Sequence, residues 1–211
     1  MKTIDEVKVR FLDNVSGHLM TIHRDDGLYR HVQFSRPGTN CYRFDLITWP
    51  GYLCVTGDVG CWTFSRIADM FEFFACNFDR GINPGYWAEK LQAGAGCSYQ
   101  KLCFEWDHGA FMTALREWHE NWLDEGQNED DKESAEDSIG VIKMNSEDAH
   151  SAWRALEDAD LPGIDIYDFA DHRFETHTTH YLWICHAIVW GIQRYNASKQ
   201  SAQAEVTNDQ P

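Results

Sequence analysis

The chain has 211 residues, nine of them Trp and twelve Phe, and it carries 34 acids against 18 Lys and Arg for a formal charge of −16. That length and aromatic content supply apolar area for one ordinary domain, with or without an appendage. A surplus of negative charge repels nucleic acid and anionic membrane, so direct nucleic-acid binding and membrane association are set aside and a basic protein surface becomes the favoured partner.

In residues 4–15, Ile4, Val7, Phe11 and Val15 recur at helical spacing. The start, Met1-Lys2-Thr3-Ile4-Asp5, lacks the apolar stretch of a secretory leader. Residues 18–24 and 29–35 flank Asp25-Asp26-Gly27, a hairpin signal. Residues 42–48, 52–56 and 61–65 are runs of β-branched and aromatic residues. They are separated by Trp49-Pro50-Gly51 and Gly57-Asp58-Val59-Gly60, the pattern of strands joined by tight turns. After Arg66 the period changes: Ile67, Met70, Phe71 and Phe74 point to a helix running to residue 78. Asn83-Pro84 opens another helix, with Asn as cap and Pro at the first turn. Residues 99–106 read as a sixth strand or a loop. The predicted class is α+β: an antiparallel sheet of five to six strands from the N-terminal half, packed against helices from the middle and C-terminal half.

Two blocks, YRFDLITWPGYLCVTGDVGCWTFSRIADMFEFF at residues 42–74 and INPGYWAEKL at residues 82–91, resemble an uncharacterised family of phage and prophage proteins. That family carries FDLITWPGYL.VTGD.G...FSR..DMFEFF followed by INPGYWAEKL. The likeness extends to about residue 120. It implies a phage-encoded accessory protein and brings no enzymatic activity with it.

Residues 108–123 place Phe111, Leu115, Trp118 and Trp122 in one helical stripe. Residues 124–137 are dense in charge and poor in apolar residues, which predicts a solvated linker or a frayed acidic helix. Residues 146–159 read as a helix with Ser146, and Asp148 and Ala149 behind it, in its cap region, ended by Leu161-Pro162-Gly163. Residues 176–195 are apolar on nearly every face, a buried helix. The predicted organisation is an α+β core over 1–124, an acidic linker or insertion over 125–145, a helical segment over 146–196 packing on the core, and a disordered tail over 197–211. The charge is uneven along the chain: residues 1–124 hold 16 acids and 12 bases, and residues 125–211 hold 18 and 6.

The densest set of ligand-type side chains lies in residues 171–186. His172, Glu175, His177 and His180 are the candidate metal ligands, with Asp171 and Cys185-His186 nearby. On a helix His177 and His180 would share a face. Zinc needs three or four such ligands at fixed distances, and the spacing here is not HExxH. The same histidines serve equally well as helix caps or backbone hydrogen-bond donors. No cofactor is predicted, because Gly57-Asp58-Val59-Gly60 lacks every phosphate-loop pattern and reads as a turn. The seven cysteines show no CxxC spacing and read as reduced, mostly buried thiols, with Cys54 inside an apolar strand. Asp69 and Glu72, at a helix start, read as partners of the helix dipole.

The remaining feature is the acidic block: Glu129, Asp130, Asp131, Glu133, Glu136 and Asp137, continued by Glu157, Asp158 and Asp160. Clustered carboxylates on a surface serve solubility. Held on an ordered scaffold, they also imitate the phosphate array of a duplex and fit a basic channel. The expected function is that of a phage-encoded acidic accessory protein without catalytic residues. It would act by protein–protein binding in the host cytoplasm, against a nucleic-acid-binding or defence protein. The alternatives are a metal-dependent enzyme built on residues 171–186 and a virion structural or assembly component.

Overall fold

A computed structural model of the chain describes residues 3–75, 81–92, 102–159, 161, 169 and 172–208. It divides into two units, Met1–Cys103 with His177–Pro211, and Phe104–Thr176. The class is α+β, with a five-stranded antiparallel sheet in the N-terminal half and helices in the middle and C-terminal half.

In the first unit, α1 (Ile4–Asn14) begins at a reciprocal cap. Thr3 Oγ1 accepts from the Glu6 N–H at 3.2 Å, and Glu6 Oε2 accepts from the Thr3 N–H at 2.7 Å. Five strands follow: β1 (Leu19–Asp26), β2 (Tyr29–Ser35), β3 (Phe44–Trp49), β4 (Tyr52–Gly57) and β5 (Gly60–Ser65). They pair in sequence order, each antiparallel to the next, as the turn signals predict. Alternation decides which face is dry: Val32 and Phe34, Phe44 and Leu46, Leu53 and Val55, Trp62 and Phe64 all point to one side and are buried. On the other side Asp45 accepts from His31 Nε2 and Arg43 Nη2, both at 3.0 Å.

The β4–β5 turn depends on Gly57, whose φ is +128°. A Cβ there would lie 2.5 Å from the Arg43 carbonyl oxygen, so only glycine lets the turn close onto the loop before β3.

Helices cover the dry face. Asp69 caps α2 (Met70–Ala75) through the Phe71 N–H at 2.9 Å, and it also holds Arg30 through two bonds of 2.8 Å. Asn83 caps α3 (Pro84–Ala88). The long C-terminal helix, Thr179–Asn208, packs on α1 and α2. From Tyr181 through Ile188 every residue is buried, two turns dry all round, as its apolar composition predicts. Its Gly191 faces the sheet, where a Cβ would come within 2.7 Å of Leu46 and 3.0 Å of Phe34. The chain passes into and out of the other unit at adjacent points, because the Thr178 N–H donates to the Cys103 carbonyl at 2.9 Å and Thr178 Oγ1 to the Leu102 carbonyl at 3.2 Å.

In the second unit, β6 (Phe104–Trp106) pairs with β7 (Glu175–His177) in a ribbon of its own and does not extend the main sheet. Three helices, α4 (His108–Asp124), α5 (Glu129–Met144) and α6 (Ala149–Asp158), pack together. Phe111, Leu115 and Trp122 of α4 meet Ala135, Ile139 and Ile142 of α5 and Ala152 and Leu156 of α6. The C-terminal helix, Thr179–Asn208, is therefore α7.

Four expectations change. The helix at 108–124 belongs to the second unit and not to a 1–124 core, since its apolar stripe is filled by α5 and α6. Within the segment 125–145, Glu129–Met144 is a regular helix, closer to the helical alternative than to a linker, because Ala135, Ile139 and Ile142 give it a buried stripe. Within the expected cap region the cap is Asp148, through the Ser151 N–H at 3.0 Å, and not Ser146, which is fully buried and bonds His108 at 3.0 Å. The residues read as a tail, from 197 onward, continue α7 to Asn208; Lys199 pairs with Asp25, and Ser198 Oγ donates to the Tyr195 carbonyl at 2.7 Å. No helix among the described residues is long and apolar enough to cross a membrane.

Replacing Gly191 by Ala should lower stability by about 1–3 kcal/mol, read from chemical denaturation, because fully buried Leu46 and Phe34 have nowhere to yield. Burial also holds His18, His177 and His186 below the usual histidine range. The unfolded chain takes up protons first, so stability is full above about pH 6.5 and declines as pH falls through that value. Denaturation midpoints between about pH 8 and pH 5 should follow that curve, with a shallower slope in His186→Gln.

Candidate functional site: an acidic helical face

The two units differ in charge. Phe104–Thr176 contains 21 acids and five Lys or Arg, a balance of −16. The rest of the chain contains 13 of each and balances to zero. The whole surplus thus sits in the three-helix unit.

Within it, α5 sorts its side chains by face. At about 100° per residue, the stripe Ala135–Ile139–Ile142 leaves Asp130, Glu133 and Asp137 on the opposite side, with Glu129 and Glu136 on one flank. All five are exposed, as is Asp131. The start of the helix is fixed by Asn128, whose Oδ1 accepts from the Asp131 N–H at 2.9 Å and whose Nδ2 donates to Asp131 Oδ2 at 2.5 Å. Lys132 donates to Glu129 Oε1 at 2.7 Å, which neutralises one carboxylate. Glu129, Asp130 and Asp131 occupy the first turn, where the helix dipole favours them. Glu157 and Asp158 stand exposed at the last turn of α6, where the dipole adds to the negative potential. Asp160 lies outside the described residues. Six carboxylates from Glu129 to Asp137 span about 12 Å of helix axis, about one per 2 Å, against about one charge per 1.7 Å along duplex DNA.

The candidate metal ligands are not gathered in this way. His177 is in the extended β7 and α7 starts only at Thr179, so His177 and His180 do not share a helical face. His180 Nε2 donates to the Val59 carbonyl at 3.0 Å, and its ring meets Trp62 edge-on. His177 stacks on Tyr181, and His172 packs against Phe169 and Phe174. Glu175 is exposed on β7, and Asp171 lies outside the described residues. Among the described residues no three His, Cys, Asp or Glu side chains are grouped to hold a metal ion.

Three thiols, Cys54, Cys103 and Cys185, sit in surroundings that disfavour a thiolate. Burial pushes Cys54 up to about 11 and Cys103 up to about 12, and it raises Cys185 as well. Cys54 Sγ lies 3.7 Å from Cys61 Sγ across β4 and β5. Cys76 and Cys97 lie outside the described residues.

One feature carries no signal in the sequence. A cavity of about 320 Å³ in the first unit is lined by Arg10 and Asn14 of α1, Tyr42, Asp58, and Thr179 and Trp183 of α7. These residues come from four separate segments and form no spaced motif. Asp58 was legible only as part of a turn. No protein-family model, curated protein or solved structure matches the chain.

Alkylation with iodoacetamide near neutral pH should label exposed Cys41 and Cys61 well before Cys54, Cys103 and Cys185, as followed by mass spectrometry of the intact and digested protein.

Proposed function

We propose that this chain is a non-catalytic binding protein whose inserted acidic unit docks on a basic surface of a partner protein. The observation that carries the reading is the segregation of charge: all of the −16 lies in Phe104–Thr176. An evenly soluble protein has no need of such an arrangement. Five of the α5 carboxylates stand clear of its buried stripe, about one per 2.4 Å of helix axis against about one charge per 1.7 Å of duplex. That density supports a partner that normally holds nucleic acid, and the unit would occupy the same basic channel. The resemblance of residues 44–74 and 82–91 to phage proteins supports placing that partner in the host, among nucleic-acid-binding or defence proteins, with the encounter in the host cytoplasm.

Binding of this kind is steered by long-range attraction that salt screens over about 10 Å at 0.1 M. The full chain, immobilised, should retain its partner from host lysate at low salt and release it at high salt. A variant with Glu129→Gln, Asp130→Asn, Glu133→Gln, Glu136→Gln and Asp137→Asn should lose the partner at every salt concentration. Added duplex DNA should displace the wild-type complex. Retention by the neutralised variant, or indifference to salt, would overturn the reading.

A further inference from the structure

The cavity between α1, the start of α7 and the β4–β5 turn holds two opposite charges that do not meet. Arg10 and Asp58 both line it, and neither has an ion-pair partner among the described residues. Asp58 is not free to swing toward a cation. Its Oδ2 accepts from the Tyr42 N–H at 2.8 Å, and its own N–H donates to the Arg43 carbonyl at 2.9 Å. One carboxylate oxygen is left open.

Tyr42 is held just as firmly. It has a φ of +57°, the only left-handed backbone among the described residues other than glycine. His18 Nε2 donates to its carbonyl at 3.0 Å, and its ring lies nearly parallel to Trp183. A bulky residue in that region costs about 1–3 kcal/mol and persists where its surroundings over-determine it, often at ligand clamps.

The other wall is built from two helices. Arg10 lies one turn before Asn14 on α1, and Thr179 one turn before Trp183 on α7. The bond from Trp183 Nε1 to Asn14 Oδ1, at 3.2 Å, ties these two faces together. Thr178 takes up the Tyr181 and Leu182 N–H groups, which leaves those of Thr179 and His180 as the uncommitted donors of the first turn. Val7, Val59 and the Tyr42 ring complete the lining with apolar surface. About 320 Å³ falls at the small end of the range for small-molecule sites.

We propose that this cavity binds a free α-amino acid with an apolar side chain. The carboxylate meets Arg10 and the start of α7, the ammonium meets the open oxygen of Asp58, and the side chain lies against Val7, Val59 and Tyr42. The two opposite charges, which form no ion pair with each other, match the two charges of a zwitterion. A simple anion would be repelled by Asp58, and a simple cation by Arg10. The inference is independent of the acidic face of the other unit.

The test is isothermal titration calorimetry on the full chain. The probes are L-phenylalanine and L-leucine, with N-acetyl-L-phenylalanine, which lacks the ammonium, and L-phenylalanine amide, which lacks the carboxylate. One or both amino acids should bind saturably, and each blocked analogue about tenfold more weakly than L-phenylalanine. Arg10→Gln should weaken the amino acid about tenfold and should not weaken the amide, which it relieves of a like charge. Asp58→Asn keeps an acceptor for the Tyr42 N–H, and it should weaken the amino acid without weakening the N-acetyl analogue, which it relieves of a like charge. Thermal melts of both variants confirm that they fold. The proposal is overturned by absence of heat up to about 10 mM of either amino acid, by wild-type affinity in both variants, or by a blocked analogue that binds as tightly as L-phenylalanine. That last result would point to a peptide terminus as the ligand.

Discussion

The sheet and α7 are two halves of one apolar surface, and neither closes without the other. Phe34, Phe44 and Leu46 present a dry face, and Trp183, Trp190 and Gly191 of α7 fill it. Each fully buried side chain of this size contributes about 1.5–3 kcal/mol. The helix comes so close at Gly191 that no side chain fits between. Residues at opposite ends of the sequence thus share a core, with the whole second unit inserted between them. Contacts of such long sequence separation close late and slowly in folding. The ring bonds along α1 follow from the same seating: Trp183 reaches Asn14 and His186 reaches the Ile4 carbonyl only because α7 lies flat on the sheet.

Much of this was written locally. Period-2 alternation and the residues Asp-Gly, Pro-Gly and Gly-Asp-Val-Gly specify the meander, since each strand pairs with its neighbour and needs no distant information. The helix at 108–124 and the burial of α7 are legible for a similar reason: their apolar spacing states what they bury. What failed was everything decided by a partner. The stripe of α5 holds only Ala135, Ile139 and Ile142 among many acids, and it becomes a helix because α4 and α6 receive that stripe. Residues 197–208 carry little apolar pattern, yet they continue the helix whose earlier turns pack on the sheet, with Lys199 paired to Asp25. The unit boundary fell elsewhere than expected because pairing of β6 with β7 joins segments far apart in sequence. For the same reason Arg10 and Asp58 were invisible as a pair.

The distribution of charge has its own physical logic. Sixteen uncompensated charges in one small unit repel each other and oppose folding. The first turn of α5 offsets part of this by setting three acids against the positive end of its dipole. The aromatic cluster of Trp106, Phe111, Phe169 and Phe174 supplies apolar burial beneath. Glu157 and Asp158 receive no such relief. A cation arriving there gains from both the carboxylates and the helix end.

Thr178 stands where the polypeptide leaves the sheet-bearing unit and returns to it. Its bonds to Leu102 and Cys103 mean that the two cut ends lie side by side. A segment grafted at such a junction behaves as a cassette: recombination can exchange it for another insert, or a short loop can replace it, with no strand re-threaded. The sheet-bearing unit would keep its own core whatever segment stood between those two ends.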